Sequence, residues 1–379
     1  MTITLSIPES LKPEDGRFGS GPSKIRPEQI AALDAGATTL LGTSHRQAPV
    51  KQLVASIREG LREFFHLPEG YEVELGNGGA SAFWEIACAS LITRRAAFGT
   101  YGSFSAKFAA SAANAPFLED PVLFPGEPGT YRLPELTEGV DTYCWAHNET
   151  STGVAAPIRR VAGSREAGAL TVIDGTSAAG ALPVDISQTD VYYFSPQKAF
   201  GADGGLWVAI LSPEAIDRAA GVESSAHLEG AHRWVPPFLS LTTALNNSRK
   251  DQTLNTPAVA TLIMMENQIR WLNNGGLAWA TTRCAKSASI LYSWAERSEY
   301  AAPFVVDADA RSNAVVTIDL DERVQASQVL SILRENGIVD AAGYRKLGRN
   351  QLRVGVFPSV EPADVMAFTK CVDYVVEHL

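Results

Sequence analysis

Val191-Tyr192-Tyr193-Phe194-Ser195-Pro196-Gln197-Lys198 is the stretch that decides the fold of this 379-residue chain. Its first four residues are β-branched or aromatic, as in a buried strand, and a second such run follows at 206–211. Lys198 therefore lies at the junction between two core strands. Burial lowers the pKa of a lysine amine toward neutrality and makes the amine a better nucleophile. The alternative is a loop lysine whose ammonium group reaches solvent.

The length and composition are those of a globular protein with two or three domains. The formal net charge of −10 argues against nonspecific binding to nucleic acid or to an anionic membrane surface. No apolar run is long enough to span a membrane, and residues 1–17 lack a signal-peptide pattern, so we expect a cytoplasmic protein. The cysteines are far apart and form no Cys-x-x-Cys pair, which predicts reduced side chains and no metal site. They are Cys88, Cys144, Cys284 and Cys371.

Predicted strands and helices alternate between residues 71 and 211. This alternation predicts the α/β class, with a mainly parallel sheet between layers of helices. The segment 221–255 shows little periodicity, and we interpret it as a long functional loop or a contact with a partner subunit. Asn255-Thr256-Pro257 then begins a long helix that Gly275-Gly276 ends.

The rest of the chain has an α+β pattern, which predicts a second and smaller domain. We expect an N-terminal arm at 1–16 that packs with the small domain, a large domain at 17–263, and a small C-terminal domain at 264–379. The small domain contains a basic cluster at 343–349, which is unexpected in an acidic chain.

Polar groups follow several predicted strands where those strands end. Asp174 follows the strand at 170–173, and open α/β sheets bind ligands at the carboxyl ends of their strands. The glycine-rich turn at 76–81 precedes a helix, which suits a phosphate, although a plain tight turn has the same pattern. Phe104 either stacks on a planar ligand or fills the core.

Each of these groups has a defined use if the ligand is pyridoxal phosphate. The Lys198 amine would form an imine with the aldehyde, and the Asp174 carboxylate would keep the ring nitrogen protonated. The helix after the glycine turn would take the phosphate, and Phe104 would cover the ring. Once displaced by the substrate amine, Lys198 would serve as the base that moves a proton at the substrate Cα.

The chain resembles the phosphoserine aminotransferases, fold-type I pyridoxal-phosphate enzymes of class V, from about residue 18 to residue 358. The order of its motifs carries the resemblance. These motifs are Arg17-Phe18-Gly19-Ser20-Gly21-Pro22, Ser44-His45-Arg46, Asn148-Glu149-Thr150, Asp174-Gly175-Thr176-Ser177, Ser195-Pro196-Gln197-Lys198, Asn255-Thr256-Pro257 and Leu352-Arg353-Val354. The resemblance implies a large cofactor-binding domain, a small C-terminal domain, and a homodimer with shared active sites.

The resemblance also implies a role for each cofactor contact. Lys198 matches the Schiff-base lysine, Asp174 the partner of the pyridinium nitrogen, and Thr150 the residue that hydrogen-bonds the 3′-oxygen. Phe104 takes the place of a stacking tryptophan. The phosphate cup is matched by Gly79, Ala80, Ser81 and Gln197, and from the other subunit by Asn255 and Thr256.

Four further residues match the substrate-binding groups of the family. Arg353 matches the arginine that grips the substrate carboxylate. The groups that hold the substrate phosphate, or the side-chain carboxylate of glutamate, are matched by His45, Arg46 and Arg345.

Besides Phe104, the chain departs from the better-known bacterial pattern at two positions, which affects the expected recognition of phosphate. Ser81 stands where an arginine is usual, and Tyr344 stands where a histidine is usual. The alternatives for a compensating positive charge beside Arg345 are Lys346 and Arg349.

The resemblance implies transamination between L-glutamate and 3-phosphohydroxypyruvate, in L-serine biosynthesis and, as a second pathway, pyridoxine biosynthesis. The nearest alternative is another class V aminotransferase, such as a serine or alanine to glyoxylate enzyme. A cysteine desulfurase is disfavoured because no cysteine lies in a glycine-rich loop near Arg353. A non-catalytic protein that binds a phosphorylated metabolite is the alternative from a different functional class.

Overall fold

The structure is a computed structural model that describes residues 5–226 and 232–379. Helices α1 to α9 span Pro27–Ala35, Ala48–Phe64, Gly79–Ser90, Ser103–Asn114, Pro213–Ser225, Leu241–Ser248, Val259–Arg297, Ala326–Glu335 and Pro362–Glu377. Strands β1 to β12 span Glu72–Asn77, Ala96–Thr100, Val122–Pro125, Thr142–Ala146, Asn148–Glu149, Val154–Ala155, Leu170–Asp174, Val191–Phe194, Leu206–Leu211, Ala301–Pro303, Val315–Leu320 and Gln351–Gly355. Within the described residues, no helix is both long enough and apolar enough to cross a membrane.

The large sheet has seven strands in the order β1-β9-β8-β7-β4-β2-β3. Neighbouring strands from β8 to β3 run parallel, whereas β9 is antiparallel to both β8 and β1. Strands β4, β7, β8 and β9 are buried along their whole length, as expected for strands that helices cover on both faces. The predicted α/β class with a mainly parallel sheet is confirmed.

The parallel order of the central strands brings the candidate site together. Strands β7 and β8 are direct neighbours, with Asp174 paired to Tyr193. Their carboxyl ends, and that of β4, therefore lie at one edge of the sheet. Lys198 follows β8 by four residues, so its turn lies at the same edge as Asp174.

A second sheet of three antiparallel strands, β10-β11-β12, packs with α8 and α9 around a separate hydrophobic core. The N-terminal arm joins this core through Ile7, whose backbone N–H donates to Asn336 Oδ1 at 2.9 Å. Helix α7 contributes side chains to both cores and breaks at Gly276, where φ is 77°. The predicted boundary between residues 263 and 264 falls inside this helix and stays a prediction.

The prediction of a long loop at 221–255 is wrong in part. Helix α5 continues to Ser225, and α6 occupies Leu241–Ser248. The Ser240 hydroxyl caps α6 by accepting from the Thr243 N–H, and Leu241 packs into the core. An eight-residue helix shows too few repeats for its periodicity to stand out in the sequence. Residues 227–231, with His227, lie outside the described residues.

Candidate active site

Lys198 lies in the turn after β8, and its side chain points into the molecule. The residue is 8% exposed, and Nζ donates to the carbonyl oxygen of Ser20 at 2.7 Å. Burial, and then the positive charge of Arg353, lower the pKa of the amine to about 8. The structure therefore shows a buried amine that is readily deprotonated, and not a lysine that reaches solvent.

The loop at 18–23 closes over this lysine. Gly21 has φ of 135°, and a Cβ at this position would lie 2.0 Å from Lys198 Nζ. The Ser23 N–H donates to the carbonyl oxygen of Gln197 at 2.8 Å, and the Gly355 N–H donates to that of Phe18 at 2.9 Å. The loop thus joins the lysine turn to β12 of the small sheet. The glycines of this loop indicate that another group approaches its backbone closely, but the sequence does not show that this group is Lys198.

The lowered pKa predicts that Lys198 reacts with small acylating reagents at lower pH than an exposed lysine. In cofactor-free protein, labelling of Lys198 by acetic anhydride should rise about tenfold per pH unit below about 8 and level off above it, because only the neutral amine reacts. An ordinary exposed lysine titrates near 10.4. Mass spectrometry of the digested protein measures the labelling of Lys198 at each pH, with the exposed Lys370 as internal reference. A Lys198 profile that levels off only above pH 10 would contradict the buried, partly neutralised amine.

Asp174, at the end of β7, is buried and hydrogen-bonded by neutral groups. The Thr176 N–H donates to Oδ1 at 2.8 Å, and the Tyr193 hydroxyl donates to Oδ2 at 3.0 Å. The Trp84 indole N–H lies 3.5 Å from Oδ2. Burial raises the pKa of the carboxyl, and these donors act in the opposite direction. Sequence reasoning found Asp174 but missed Tyr193 and Trp84, which the fold brings to it from β8 and α3.

The glycine turn leads directly into α3. Gly78 and Gly79 both have positive φ, at 117° and 70°, which allows the abrupt change of direction. The Ala80 N–H donates to Ser195 Oγ at 2.6 Å, and Ser195 donates onward to the carbonyl oxygen of Leu206 at 2.9 Å. Ser195 therefore fixes the start of α3 against the turn that carries Lys198, a role that the sequence did not reveal.

Two further members of the predicted phosphate cup lie near this turn. Ser81 is exposed in the first turn of α3, and the Gln197 Oε1 atom is buried without a hydrogen-bond partner in the described part of the chain. The N-terminus of α3 fits an anionic ligand, whereas Gln197 Oε1 is a hydrogen-bond acceptor and does not by itself favour an anion. The assignment of individual cup residues stays a prediction.

Thr150 is buried beside Ser177, which sequence reasoning had not selected as a site residue. The Thr150 hydroxyl donates to Ser177 Oγ at 2.7 Å, and the Asn148 side-chain amide donates to the same atom at 2.8 Å. Ser177 in turn lies 3.2 Å from the carbonyl oxygen of Asn148. This network fixes the Thr150 side chain, whose contact with the 3′-oxygen stays a prediction.

Glu149 holds the helix that carries Phe104. Its buried carboxylate accepts from the N–H groups of Phe104 and Ser105 and from the Ser151 hydroxyl. A carboxylate at this position satisfies the free N–H groups of the first turn of α4 and complements the helix dipole. Phe104 is half-buried, and its ring centroid lies 5.8 Å from that of Tyr344. Its ring is thus only partly used in the core.

Arg353, on β12, is half-buried and only partly hydrogen-bonded. Its Nη1 donates to the carbonyl oxygen of Thr150 at 3.2 Å, while its Nε is buried without a partner among the described residues. Its guanidinium carbon lies 5.4 Å from the centroid of the Tyr344 ring. Burial lowers the pKa of Arg353, but an arginine keeps its charge at any physiological pH. Free N–H groups on a partly desolvated cation suit a carboxylate ligand.

A second group of predicted residues lies together at the end of β1. His45 Nδ1 is 3.3 Å from Thr256 Oγ1, and the Asn77 side-chain amide donates to Asn255 Oδ1 at 2.7 Å. Arg46, next to His45, is exposed. Burial, and then the positive charge of Arg46, lower the pKa of His45. The described hydrogen bonds do not link this group to Lys198 or Arg353 in the same chain.

The basic cluster before β12 contains exposed cations and one that is paired with a carboxylate. Arg345 and Lys346 are exposed. Arg349 donates from Nε to Asp319 Oδ1 at 3.0 Å, and its guanidinium lies 4.7 Å from the Phe304 ring centroid. Arg349 is therefore paired with Asp319, and which of Lys346 and Arg349 assists Arg345 stays a prediction.

Comparisons with known proteins identify the family. The sequence model described as "Aminotransferase class-V" matches residues 18–348, so the chain belongs to the class-V aminotransferases. Phosphoserine aminotransferases of Rhodococcus opacus and Rhodococcus jostii are each 56% identical over 380 residues, and the alignments cover 100% of both sequences. The chain belongs to the phosphoserine aminotransferase family within that class, as its motifs predicted.

Solved structures share the fold at lower identity. A phosphoserine aminotransferase of Cytophaga hutchinsonii has a TM-score of 0.83 at 21% identity and covers 95% of this chain and 99% of its own. That of Bacillus circulans subsp. alkalophilus has a TM-score of 0.80 at 21% identity and covers 96% and 99%. The Trichomonas vaginalis enzyme, described as bound to PLP, has a TM-score of 0.79 at 16% identity and covers 95% and 100%.

Proposed function

We propose that the protein transfers the amino group of L-glutamate to 3-phosphohydroxypyruvate by a ping-pong mechanism, giving O-phospho-L-serine and 2-oxoglutarate for L-serine biosynthesis. Full-length identity of 56% to phosphoserine aminotransferases carries this proposal. We place the reaction in the cytoplasm. All four cysteines are buried and unpaired, which suits a reducing compartment.

Pyridoxal phosphate is the cofactor of this enzyme class, and the residues of the cleft fit it. Asp174 is a buried carboxylate whose hydrogen bonds come from neutral donors, so its charge is available to a cationic ring nitrogen. The N-terminus of α3 suits the phosphate, because its backbone N–H groups are donors at the positive end of the helix dipole. When bound, the cofactor supplies an aldehyde that takes up amino groups and a ring that accepts the electrons released at the substrate Cα.

The residues around the cleft then have distinct tasks. Lys198 anchors the cofactor and, with its amine free, removes the proton from the substrate Cα, for which a pKa of about 8 is well matched. The Ser20 carbonyl, 2.7 Å from Nζ, limits where that amine can go. Asp174 would hold a negative charge for the ring nitrogen at a buried position, where the charge acts strongly. Arg353 binds the α-carboxylate that all substrates share.

The distal anionic group of each substrate is assigned to His45, Arg46 and Arg345. Glutamate carries a carboxylate at this end, and phosphoserine carries a phosphate. The planar guanidinium group can bind either anion with two parallel hydrogen bonds. The same basic groups can therefore serve both halves of the ping-pong cycle.

We further propose a homodimer whose active sites are shared between subunits. The group formed by His45, Asn255 and Thr256 is held together within one chain, yet the described hydrogen bonds do not link it to Lys198 of that chain. Phe238 beside it is 47% exposed, an apolar surface suited to a partner. Because Thr256 contacts His45, one subunit would supply His45, Arg46, Asn255 and Thr256 together to the site of its partner.

A comparison of amino donors tests the substrate assignment. Purified holoenzyme is mixed with O-phospho-L-serine, L-serine or L-alanine, and the rate of loss of the visible cofactor band is followed for each donor. We expect the phosphorylated donor to react far faster, because serine and alanine leave the distal basic groups without a ligand. Equal rates for the three donors would instead support a serine or alanine to glyoxylate enzyme.

Replacing Arg46 with alanine should weaken binding of phosphorylated substrates most. A hydrogen bond to a charged group contributes about 1.5–3 kcal/mol, so KM for 3-phosphohydroxypyruvate should rise by about 10- to 150-fold. The matched control is Arg323→Ala, which removes an exposed arginine paired with Asp321 and should leave KM unchanged. Steady-state kinetics with both substrates measure the effect. A larger increase in KM for glutamate than for the phosphorylated substrate would refute this role of Arg46.

A further inference from the structure

Three side chains from different parts of the fold lie in a row: Phe104, Tyr344 and Arg353. The Tyr344 ring lies 5.8 Å from the Phe104 ring, centroid to centroid, with 51° between their planes. The Arg353 guanidinium lies 5.4 Å from the centroid of the same tyrosine. Tyr344 thus bridges the residue assigned to the cofactor ring and the residue assigned to the substrate carboxylate.

Arg353 has little else to hold it in place. The one described hydrogen bond of its side chain is to the Thr150 carbonyl oxygen at 3.2 Å, and its buried Nε has no partner among the described residues. An arginine side chain has several rotatable bonds, whose freedom must be lost before two N–H groups can face a carboxylate. The ring of Tyr344 attracts the cation and restricts its rotation without occupying any N–H group.

Tyr344 is itself held from the other side. Phe104 contacts its ring, and the Glu149 carboxylate fixes the Phe104 backbone at the start of α4. A neutral aromatic ring also suits the neighbourhood of Arg353 better than an imidazole would. Protonation of a histidine would place a second positive charge next to the guanidinium.

We propose that Tyr344 is a positioning residue, whose ring holds the Arg353 guanidinium in the orientation that receives the α-carboxylate of every substrate, and that its hydroxyl is not a phosphate ligand. The inference rests on the proposed function for the role of Arg353. It implies that the tyrosine contributes to binding of phosphorylated and unphosphorylated substrates alike. The specific recognition of phosphate then falls to the other basic groups.

Four variants of the holoenzyme separate the ring from the hydroxyl and from simple packing: Tyr344→Phe, Tyr344→Leu, Tyr344→Ala and, as a control for losing a half-buried tyrosine elsewhere, Tyr374→Ala on α9. The measurements are KM and kcat for O-phospho-L-serine, L-glutamate and L-serine, and the Kd of 2-oxoglutarate by calorimetry. Thermal unfolding shows whether each variant is folded, and the leucine variant keeps most of the side-chain volume if alanine proves unstable.

Tyr344→Phe should match the wild type within about twofold, because the ring is retained. Tyr344→Leu and Tyr344→Ala should raise KM for all donors and Kd for 2-oxoglutarate by about three- to thirtyfold, by the same factor for each ligand and with less change in kcat. Tyr374→Ala should leave KM, kcat and Kd unchanged.

Two results would overturn the proposal. One is a Tyr344→Phe variant that loses affinity for phosphoserine alone, which would make the hydroxyl a phosphate ligand. The other is a folded Tyr344→Leu variant with unchanged KM and Kd. The wild-type preference for phosphoserine over serine is measured in the same series. An error in the proposed substrate is therefore distinguished from an error in the proposed role of Tyr344.

Discussion

Replacing Lys198 with alanine is expected to reduce transamination by about a thousandfold or more. The amine is both the anchor of the cofactor and the base at the substrate Cα, and a positioned general base alone contributes about 10²- to 10⁴-fold. Lys198→Arg should be equally inactive, because a guanidinium group keeps the positive charge but can neither form the covalent link nor accept the proton. Steady-state turnover of glutamate with 3-phosphohydroxypyruvate measures both variants.

The matched control for Lys198 is Lys370→Ala on the exposed face of α9, which should keep full activity. Reduction of the wild-type holoenzyme with borohydride, followed by peptide mapping, should place the cofactor label on Lys198. Wild-type activity in Lys198→Ala would end the proposed mechanism. A protein without a reducible visible band would instead be a non-catalytic binder.

Replacing Asp174 with asparagine should lower kcat/KM by about 10²- to 10³-fold, comparable with the loss of one preorganised electrostatic group in other active sites. The substitution keeps the size of the side chain and removes its negative charge. A protonated ring nitrogen would then lose its buried counter-charge, while Lys198 remains intact. Single-turnover rates with O-phospho-L-serine, together with the amount of cofactor retained, separate slower chemistry from weaker cofactor binding.

Two further variants show whether charge or packing is responsible for the effect at Asp174. Tyr193→Phe removes the hydroxyl that lies 3.0 Å from Oδ2 but leaves the carboxylate, and it should cost far less activity than Asp174→Asn. Asp217→Asn, on the exposed surface of α5, should have no effect. The electrostatic role of Asp174 is refuted if the cofactor-loaded Asp174→Asn protein stays within about threefold of the wild-type rate.

The sequence predicted the part of the site that follows from strand order. Asp174 and Lys198 each follow an apolar run, and parallel strands put such positions at a common edge. Motif order then supplied the family, and the comparisons confirm that family. These predictions succeeded because they depend on local patterns that a single sequence displays.

Contacts between distant segments could not be predicted in this way. The Ser20 carbonyl reaches Lys198 across 178 positions, and a backbone oxygen has no signature in the sequence. Ser195 and Ser177 act on groups that the fold brings to them, and their residue type is common in turns. Helix α6 cannot be told from a loop in the sequence, because its eight residues show too little periodicity.

The most direct test of the central claim is a panel of amino acceptors with purified protein and added pyridoxal phosphate. L-glutamate is the donor, and 3-phosphohydroxypyruvate, hydroxypyruvate, pyruvate and glyoxylate are compared at equal concentrations by the 2-oxoglutarate formed. We expect 3-phosphohydroxypyruvate to be strongly preferred over the other acceptors and O-phospho-L-serine to be the product. Equal or faster turnover of an unphosphorylated acceptor would contradict the assigned function.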